Sequence, residues 1–447
     1  MFDKVVIADR GEVVLRIART CERMGVTSVA VHTRTEAGAP HATACDEAVE
    51  IGEGAHAYAD VDAIIAAARS VGAQAIHPGY GPFGRDPGAV RAITGAGLVP
   101  IAAPAEVIER VAHPLPAREL SRFAGVRPLP SSALELASIE QVAEQALDVG
   151  YPLRAVAFAG RSVAELADSE NDLHAAIERC RARAREAFGD DRLYLERWIE
   201  RPRILSALLV GDGRDFVALG DLELSLEHEA RTLLAESPAP ALASLPGAKR
   251  QTLCDGALRV ARDAGLSGAA AAEFLLDAQN QLFFTRLRPG LPVAHALAEM
   301  CANIDLVEVQ LRIAAGEGLP EEARRAQPTG HAAEARIYAQ PSNGSAETGS
   351  IPISALRWPM VAPGSLRVET DLAVGSHATI TLDPLVAKVT AYGQTRHQAL
   401  LTLDRVLAEA IIEPLATNLP FVRRILAEES YRAGQYDNGF AAQLLSE

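Results

Sequence analysis

The opening segment alternates short apolar runs with amphipathic stretches. Lys4–Ala8, Ser28–His32, Ala73–His77 and Leu98–Ile101 read as strands, Ala48–Ile51 is short and apolar, and Val13–Met24, Val61–Ser70 and Pro87–Thr94 read as helices. Gly25 and Gly72 stand where the first two helices must stop. Strands that alternate with helices predict a parallel sheet covered on both faces. Ligands of such sheets sit beyond the carboxyl ends of the strands, here at Asp9–Glu12 and His77–Gly81.

The pattern then becomes mixed. Ala137–Val149 and Asp172–Phe188 are helical, the latter with an arginine-rich solvated face, and Leu153–Phe158 and Leu193–Trp198 are strand-like. Strands follow around Leu205–Val210 and Phe216–Asp221, then a helix over Lys249–Ala264. Ala271–Asp277 and Gln281–Arg286 flank Ala278-Gln279-Asn280 as a hairpin, and a helix covers Val293–Ala302. The final stretch has strands near His331–Ala339, Leu366–Thr370 and Ala387–Ala391 and a helix at Ala399–Ala410, with Pro341–Ser350 as its most loop-like part.

Length and charge narrow the class. A chain of 447 residues is long enough for about three domains. With 43 Lys+Arg against 58 Asp+Glu its formal charge is -15, which argues against recognition of a nucleic-acid backbone. Cys21, Cys45, Cys180, Cys254 and Cys301 form no CxxC pair, and the odd number fits a reduced, cytoplasmic protein. No apolar run reaches membrane-spanning length, so no membrane insertion is expected.

Isolated motifs are weak. There is no P-loop, GxGxxG, HExxH or GxSxG. His77, at a strand end before Pro-Gly-Tyr-Gly, suits a ligand contact and a structural turn equally well. Glu273, in Ala-Glu-Phe-Leu-Leu, must be paired, hydrated or metal-bound.

The segments taken together carry a resemblance. Lys4–Glu12, Ala75–Gly81, Leu195–Ile199, Glu236–Pro240, Leu306–Gly316, Gly330–Ile337 and Ala416–Asn418 run collinear with biotin carboxylase, the ATP-grasp component of acetyl-CoA carboxylase. The resemblance implies an α/β and α+β protein: a biotin carboxylase-like ATP-grasp fold with an N-terminal parallel-sheet domain. It implies divisions at 1–113, 114–200 (a small lid subdomain with a shortened glycine loop), 201–328 (the large subdomain) and 329–447 (the C-terminal domain). Glu196, Arg197 and Ile199 match the adenine-binding hinge. Arg367, with Glu369 beside it, matches the arginine near carboxylated biotin, where it stabilises an enolate-like biotin.

Other positions depart from the family. Its two ATP-binding lysines fall at Pro114 and Val156, and the lid, Ala157–Val163, is short; Arg154 or Arg161 is a weak substitute for the lost charge. Glu273 matches a magnesium ligand, but Arg286 and Arg288 replace the others, so no metal is expected and an Arg286–Glu273 salt bridge is the suggested replacement. The bicarbonate and general-base positions are Gly290, Pro292, Val293 and Ala294, and Ala230-Arg231-Thr232 replaces a His-Gln-Lys loop.

These departures favour a non-catalytic paralogue, a structural or regulatory subunit of an acyl-CoA carboxylase assembly. No cofactor is then expected, beyond weak ATP or ADP binding without magnesium. The alternatives are an active ATP-dependent biotin carboxylase acting on a biotinyl carrier protein, and a nucleotide sensor without turnover. Implied partners are a second copy or an authentic biotin carboxylase, in a homodimer or heterodimer, and a biotinyl carrier protein or carboxyltransferase. Arg16 and Arg19 match the family's dimer region, and a plain surface-helix reading suits them equally well.

Overall fold

The computed structural model describes residues 1–132, 139–160, 162–340, 351–378 and 384–447. Pro341–Ser350 and Arg161 lie outside the described residues.

Five parallel strands open the chain: β1 (Lys4–Ile7), β2 (Thr27–His32), β3 (Glu47–Glu50), β4 (Ala75–His77) and β5 (Val99–Pro100), in the order β3-β2-β1-β4-β5. The order turns around between β1 and β4, which opens a crevice beyond their carboxyl ends. The helix Glu12–Met24 starts there. It ends at Gly25, whose φ of 71° suits the left-handed cap. Val13, Val14, Ile17 and Cys21 bury one face, but so do Glu12, Arg16 and Thr20. The surface-helix reading therefore holds for Arg19, which is exposed, and fails for Arg16, which is buried against carboxylates.

A small antiparallel sheet, β6 (Leu153–Ala157), β7 (Ala164–Ala167) and β8 (Leu193–Arg197), has the order β7-β6-β8. An eight-stranded sheet follows. It contains β9 (Arg203–Asp212), β10 (Phe216–His228), β11 (Arg231–Ser237), β12 (Ser267–Leu276), β13 (Leu282–Pro289), β14 (His331–Tyr338), β15 (Leu366–Thr370) and β16 (Leu385–Gly393), in the order β13-β12-β9-β10-β11-β14-β16-β15. It takes strands from both sides of residue 328, so one hydrogen-bonded ladder joins the middle of the chain to its C-terminal part.

Three elements lack a simple apolar signature. β11 and the second half of β10 carry Glu223, Glu227, Arg231 and Glu236. Glu223 pairs with Arg203, and Glu236 with Arg396 and His331, so charge enters the sheet already compensated. The helix Pro114–Phe123 begins with two prolines, at positions whose N–H groups have no intrahelical acceptor in any case.

Two tight approaches shape the crevice. Tyr80 N–H donates to Asp9 Oδ2 (2.7 Å). Gly79 has φ 60°, and a Cβ there would collide with the Asp9 carboxylate. Gly72 also has a positive φ but open space around it. Gly79→Ala is expected to cost about 1–3 kcal/mol in urea unfolding, more than Gly72→Ala. Equal losses would show that the Asp9 contact is unimportant.

Candidate functional site

The crevice is closed from the opposite side by β15, β16 and the helix His295–Ala302, and a string of charged side chains crosses it. Lys388, fully buried on β16, faces Glu369 in the β15–β16 register. Its Nζ lies 2.8 Å from Glu369, 3.3 Å from Glu12 Oε1, 2.6 Å from Tyr80 Oη and 3.0 Å from the Val293 carbonyl oxygen. Arg367 donates to Glu369 and Glu299, and its Nη2 is 3.3 Å from His295 Nε2. Glu299 and Asp305 both accept from Arg16, at 2.6 and 2.7 Å.

The string holds four carboxylates (Asp305, Glu299, Glu369, Glu12) against three cations (Arg16, Arg367, Lys388). Burial would neutralise Lys388, but Glu12 and Glu369 outweigh it and hold the ammonium charged. Burial likewise works against Glu369, yet Lys388, His295 and Arg367 keep its carboxyl well below the usual range. Asp305 also pairs with Arg23, so Glu12 stands apart from the other acids by its raised pKa and not by the count of charges. Burial pushes it up to about 7, against the pull of Lys388 and with the help of Glu369 and Asp9. Burial first, then Arg367's cationic neighbour Arg16, oppose the Arg367 charge, but Glu299 and Glu369 prevail and raise its pKa.

His77 is a turn residue. It is fully buried, its Nδ1 accepts from Gly79 N–H (3.0 Å), and burial lowers its pKa to about 3, so it stays neutral.

Beside this string lies a cavity of about 460 Å³. Val293, whose carbonyl binds Lys388, is part of its wall. Of the expected hinge, Arg197 and Ile199 line the cavity together with Trp198. Glu196 instead turns inward, fully buried, and its carboxylate accepts from Arg118 and Arg154. Arg154 also stacks over Trp198 at 5.2 Å. Leu115 and Val156 join Tyr194 in a small apolar cluster, with Phe158 packed against it. His113 stacks on Phe158, ring centroids 4.0 Å apart.

At the other wall, Glu273 meets two guanidinium groups. Arg286 Nε is 2.5 Å from Oε2 and Arg288 Nε 2.5 Å from Oε1. Both oxygens are taken by cations, so this position does not fit a divalent metal ion. Among the described residues no group of three His, Cys, Asp or Glu side chains could hold one. Nor is any helix among them long and apolar enough to cross a membrane.

Family comparisons decide what kind of cleft this is. The model of the biotin carboxylase N-terminal domain matches residues 1–108, that of the carbamoyl-phosphate synthase L chain ATP-binding domain residues 116–322, and that of the biotin carboxylase C-terminal domain residues 334–443. Biotin carboxylase 2 of Bacillus subtilis is 32% identical over 453 residues, covering 100% of both chains. The chain belongs to the biotin carboxylase family. The α subunit of methylcrotonoyl-CoA carboxylase from Dictyostelium discoideum is also 32% identical, and the match covers 98% of this chain and 63% of that protein. Among solved structures, the biotin carboxylase–β-γ-ATP complex of Campylobacter jejuni superposes with a TM-score of 0.92 at 27% identity, covering 99% of each chain. The biotin carboxylase domain dimer of 2-oxoglutarate carboxylase from Hydrogenobacter thermophilus, with MgADP, ADP and bicarbonate, gives 0.91 at 29% identity, covering 99% of this chain and 98% of that one.

Two expectations are corrected by these relatives. The reading of a protein without catalysis is overturned by 32% identity to a biotin carboxylase over the whole of both chains and to the α subunit of an acyl-CoA carboxylase over 98% of this chain. The expectation of no cofactor, or of nucleotide without magnesium, is overturned by neighbours solved as a β-γ-ATP complex and with MgADP, ADP and bicarbonate.

Sequence reasoning placed Glu12 and Tyr80 in the ligand-facing turns and passed over Lys388 and Arg118 as site residues. A lysine inside Leu385-Val-Ala-Lys-Val-Thr was the available signal, since a charge amid apolar strand residues requires partners.

The raised Glu12 pKa makes a prediction of definite sign. Glu12 holds its proton more tightly folded than unfolded, so its stabilisation is present below about pH 4.5 and is lost as pH rises through about 7. Relative to Glu12→Gln, the wild type should lose up to ~3 kcal/mol across that window and then level off, as read by urea unfolding at stepped pH. A difference that grows with pH would contradict the assignment.

Proposed function

We propose that this chain is an ATP-dependent biotin carboxylase acting within an acyl-CoA carboxylase-type assembly. In this reading ATP activates bicarbonate as carboxyphosphate. The carboxyl group then passes to a biotin ureido nitrogen as the C–O bond to phosphate breaks and the N–C bond forms. The adenine would lie against Trp198 and Ile199, which line the cavity. No step is assigned to a metal ion at Glu273, where two guanidinium groups stand instead.

The observation that carries the proposal is the anchoring of Arg367. Glu299 and Glu369 hold it from two sides, and its pKa is raised, so the guanidinium stays charged and fixed. A ureido nitrogen becomes nucleophilic as negative charge develops on the ureido oxygen. A preorganised cation lowers the energy of that state without having to reorganise. Tyr80, held by Lys388, stands by His295, the imidazole neighbour of Arg367, at 3.3 Å. The biotin-handling end of the cleft is thus built from side chains that hold one another in place.

The proposal retains residues 1–113, 114–200, 201–328 and 329–447 as working units. It includes a dimer of this chain, or one with a second biotin carboxylase, serving a biotinyl carrier protein and a carboxyltransferase. Full-length protein incubated with ATP, magnesium, labelled bicarbonate and biotin should form acid-labile labelled carboxybiotin. Arg367→Ala should lower that rate by about 10²–10³ while the protein stays folded. No carboxybiotin from the wild type, with a related biotin carboxylase active in parallel, would overturn the reading.

A further inference from the structure

Arg286 and Arg288 sit two residues apart on β13, so their side chains leave the same face of the strand. Both line the 460 Å³ cavity, with side-chain exposures of 35% and 40%. One carboxylate, Glu273, serves both. A structural ion pair needs one arginine; the second adds like-charge repulsion and leaves this corner with an excess of one positive charge.

The surroundings increase that excess. Arg85 lines the same cavity and spends its Nη2 on the Tyr80 carbonyl oxygen. The cavity's other carboxyl, Glu227, is raised by burial, which weakens it as a counter-charge. Burial disfavours the Arg288 cation; Glu273 opposes this, whereas Arg286 and Arg85 add to it. Arg286 bonds Glu273 through Nε, and Arg288 Nε has no acceptor in hydrogen-bonding geometry although Glu273 is close. Among the described residues, no hydrogen bond is formed by the terminal nitrogens of either guanidinium.

We propose that Arg286 and Arg288 form a two-armed oxyanion site, which takes a small oxyanion of the bicarbonate or phosphate class at the Glu273 wall of the cleft. Guanidinium is planar and presents paired donors that match two oxygens of one anion. An anion seated between the arms completes their unused donors and cancels the excess charge. The oxyanion comes either from free bicarbonate or from the terminal phosphate of a nucleotide. Only this choice of anions rests on the carboxylation reading.

Calorimetric titration of the full-length chain with bicarbonate, inorganic phosphate and ADP separates the sources. Binding of bicarbonate alone assigns the site to the carboxyl donor, and binding of phosphate and ADP assigns it to the nucleotide. In either case Arg288→Gln and Arg286→Gln should each weaken the bound anion by about tenfold. Arg288→Lys, which keeps the charge and loses the paired donors, should fall between wild type and Arg288→Gln. Glu273→Gln removes the competing carboxylate and should tighten binding. Circular dichroism confirms that each variant is folded, and a misfolded single variant is replaced by Arg288→Lys. Unchanged anion affinity in the folded Arg286→Gln/Arg288→Gln double variant, weaker binding in Glu273→Gln, or binding of none of the three anions would overturn the proposal. Loss of carboxybiotin formation with anion binding intact would count against the carboxylation reading and leave this site standing.

Discussion

A single buried ammonium group holds the two sides of the cleft together. Lys388 has no exposed surface, yet it reaches Glu12 at the start of the first helix, Tyr80 in the turn after β4, Glu369 from the neighbouring strand, and the carbonyl of Val293 at the cavity wall. Burying such a charge is costly unless its donors are satisfied. The positions of the first helix, the turn after β4, β15 and the turn before His295 are therefore constrained by one atom. The same constraint continues outward. Glu369 and Glu299 clamp Arg367, Glu299 and Asp305 clamp Arg16, and each charge is held between neighbours of opposite sign.

The two ends of the cleft differ in kind. At one end, fixed charges surround Arg367 and Tyr80, a setting that suits stabilisation of developing negative charge. At the other, guanidinium groups gather around Glu273. The scaffold of the family is retained through both.

Much of the fold was legible because its signals are local. Val61–Ser70 begins and ends at the residues its pattern and caps predict, and Leu366–Thr370 likewise. The long sheet was less legible. Its inner strands carry glutamates whose arginine partners lie far away in sequence, as Glu236 does with Arg396. Periodicity reads an isolated glutamate as solvent-facing, whereas the tertiary ion pair decides. The candidate site divided in the same way. Arg286 and Glu273 are cross-strand neighbours in a hairpin, so their proximity follows from register alone. Arg118 with Glu196, and Lys388 with Tyr80, meet only after distant segments pack. Glu196 could be placed on a strand from sequence, but the inward turn of its carboxylate could not.

Lys388 couples the N-terminal crevice to the C-terminal strands. A double-mutant cycle of Tyr80→Phe and Lys388→Met, followed by urea unfolding, tests it most directly. A favourable coupling of about 1–3 kcal/mol is expected, the range for a buried hydrogen bond to a charged group. Strict additivity of the two substitutions would show that the two sides are held together by other means, and would contradict it.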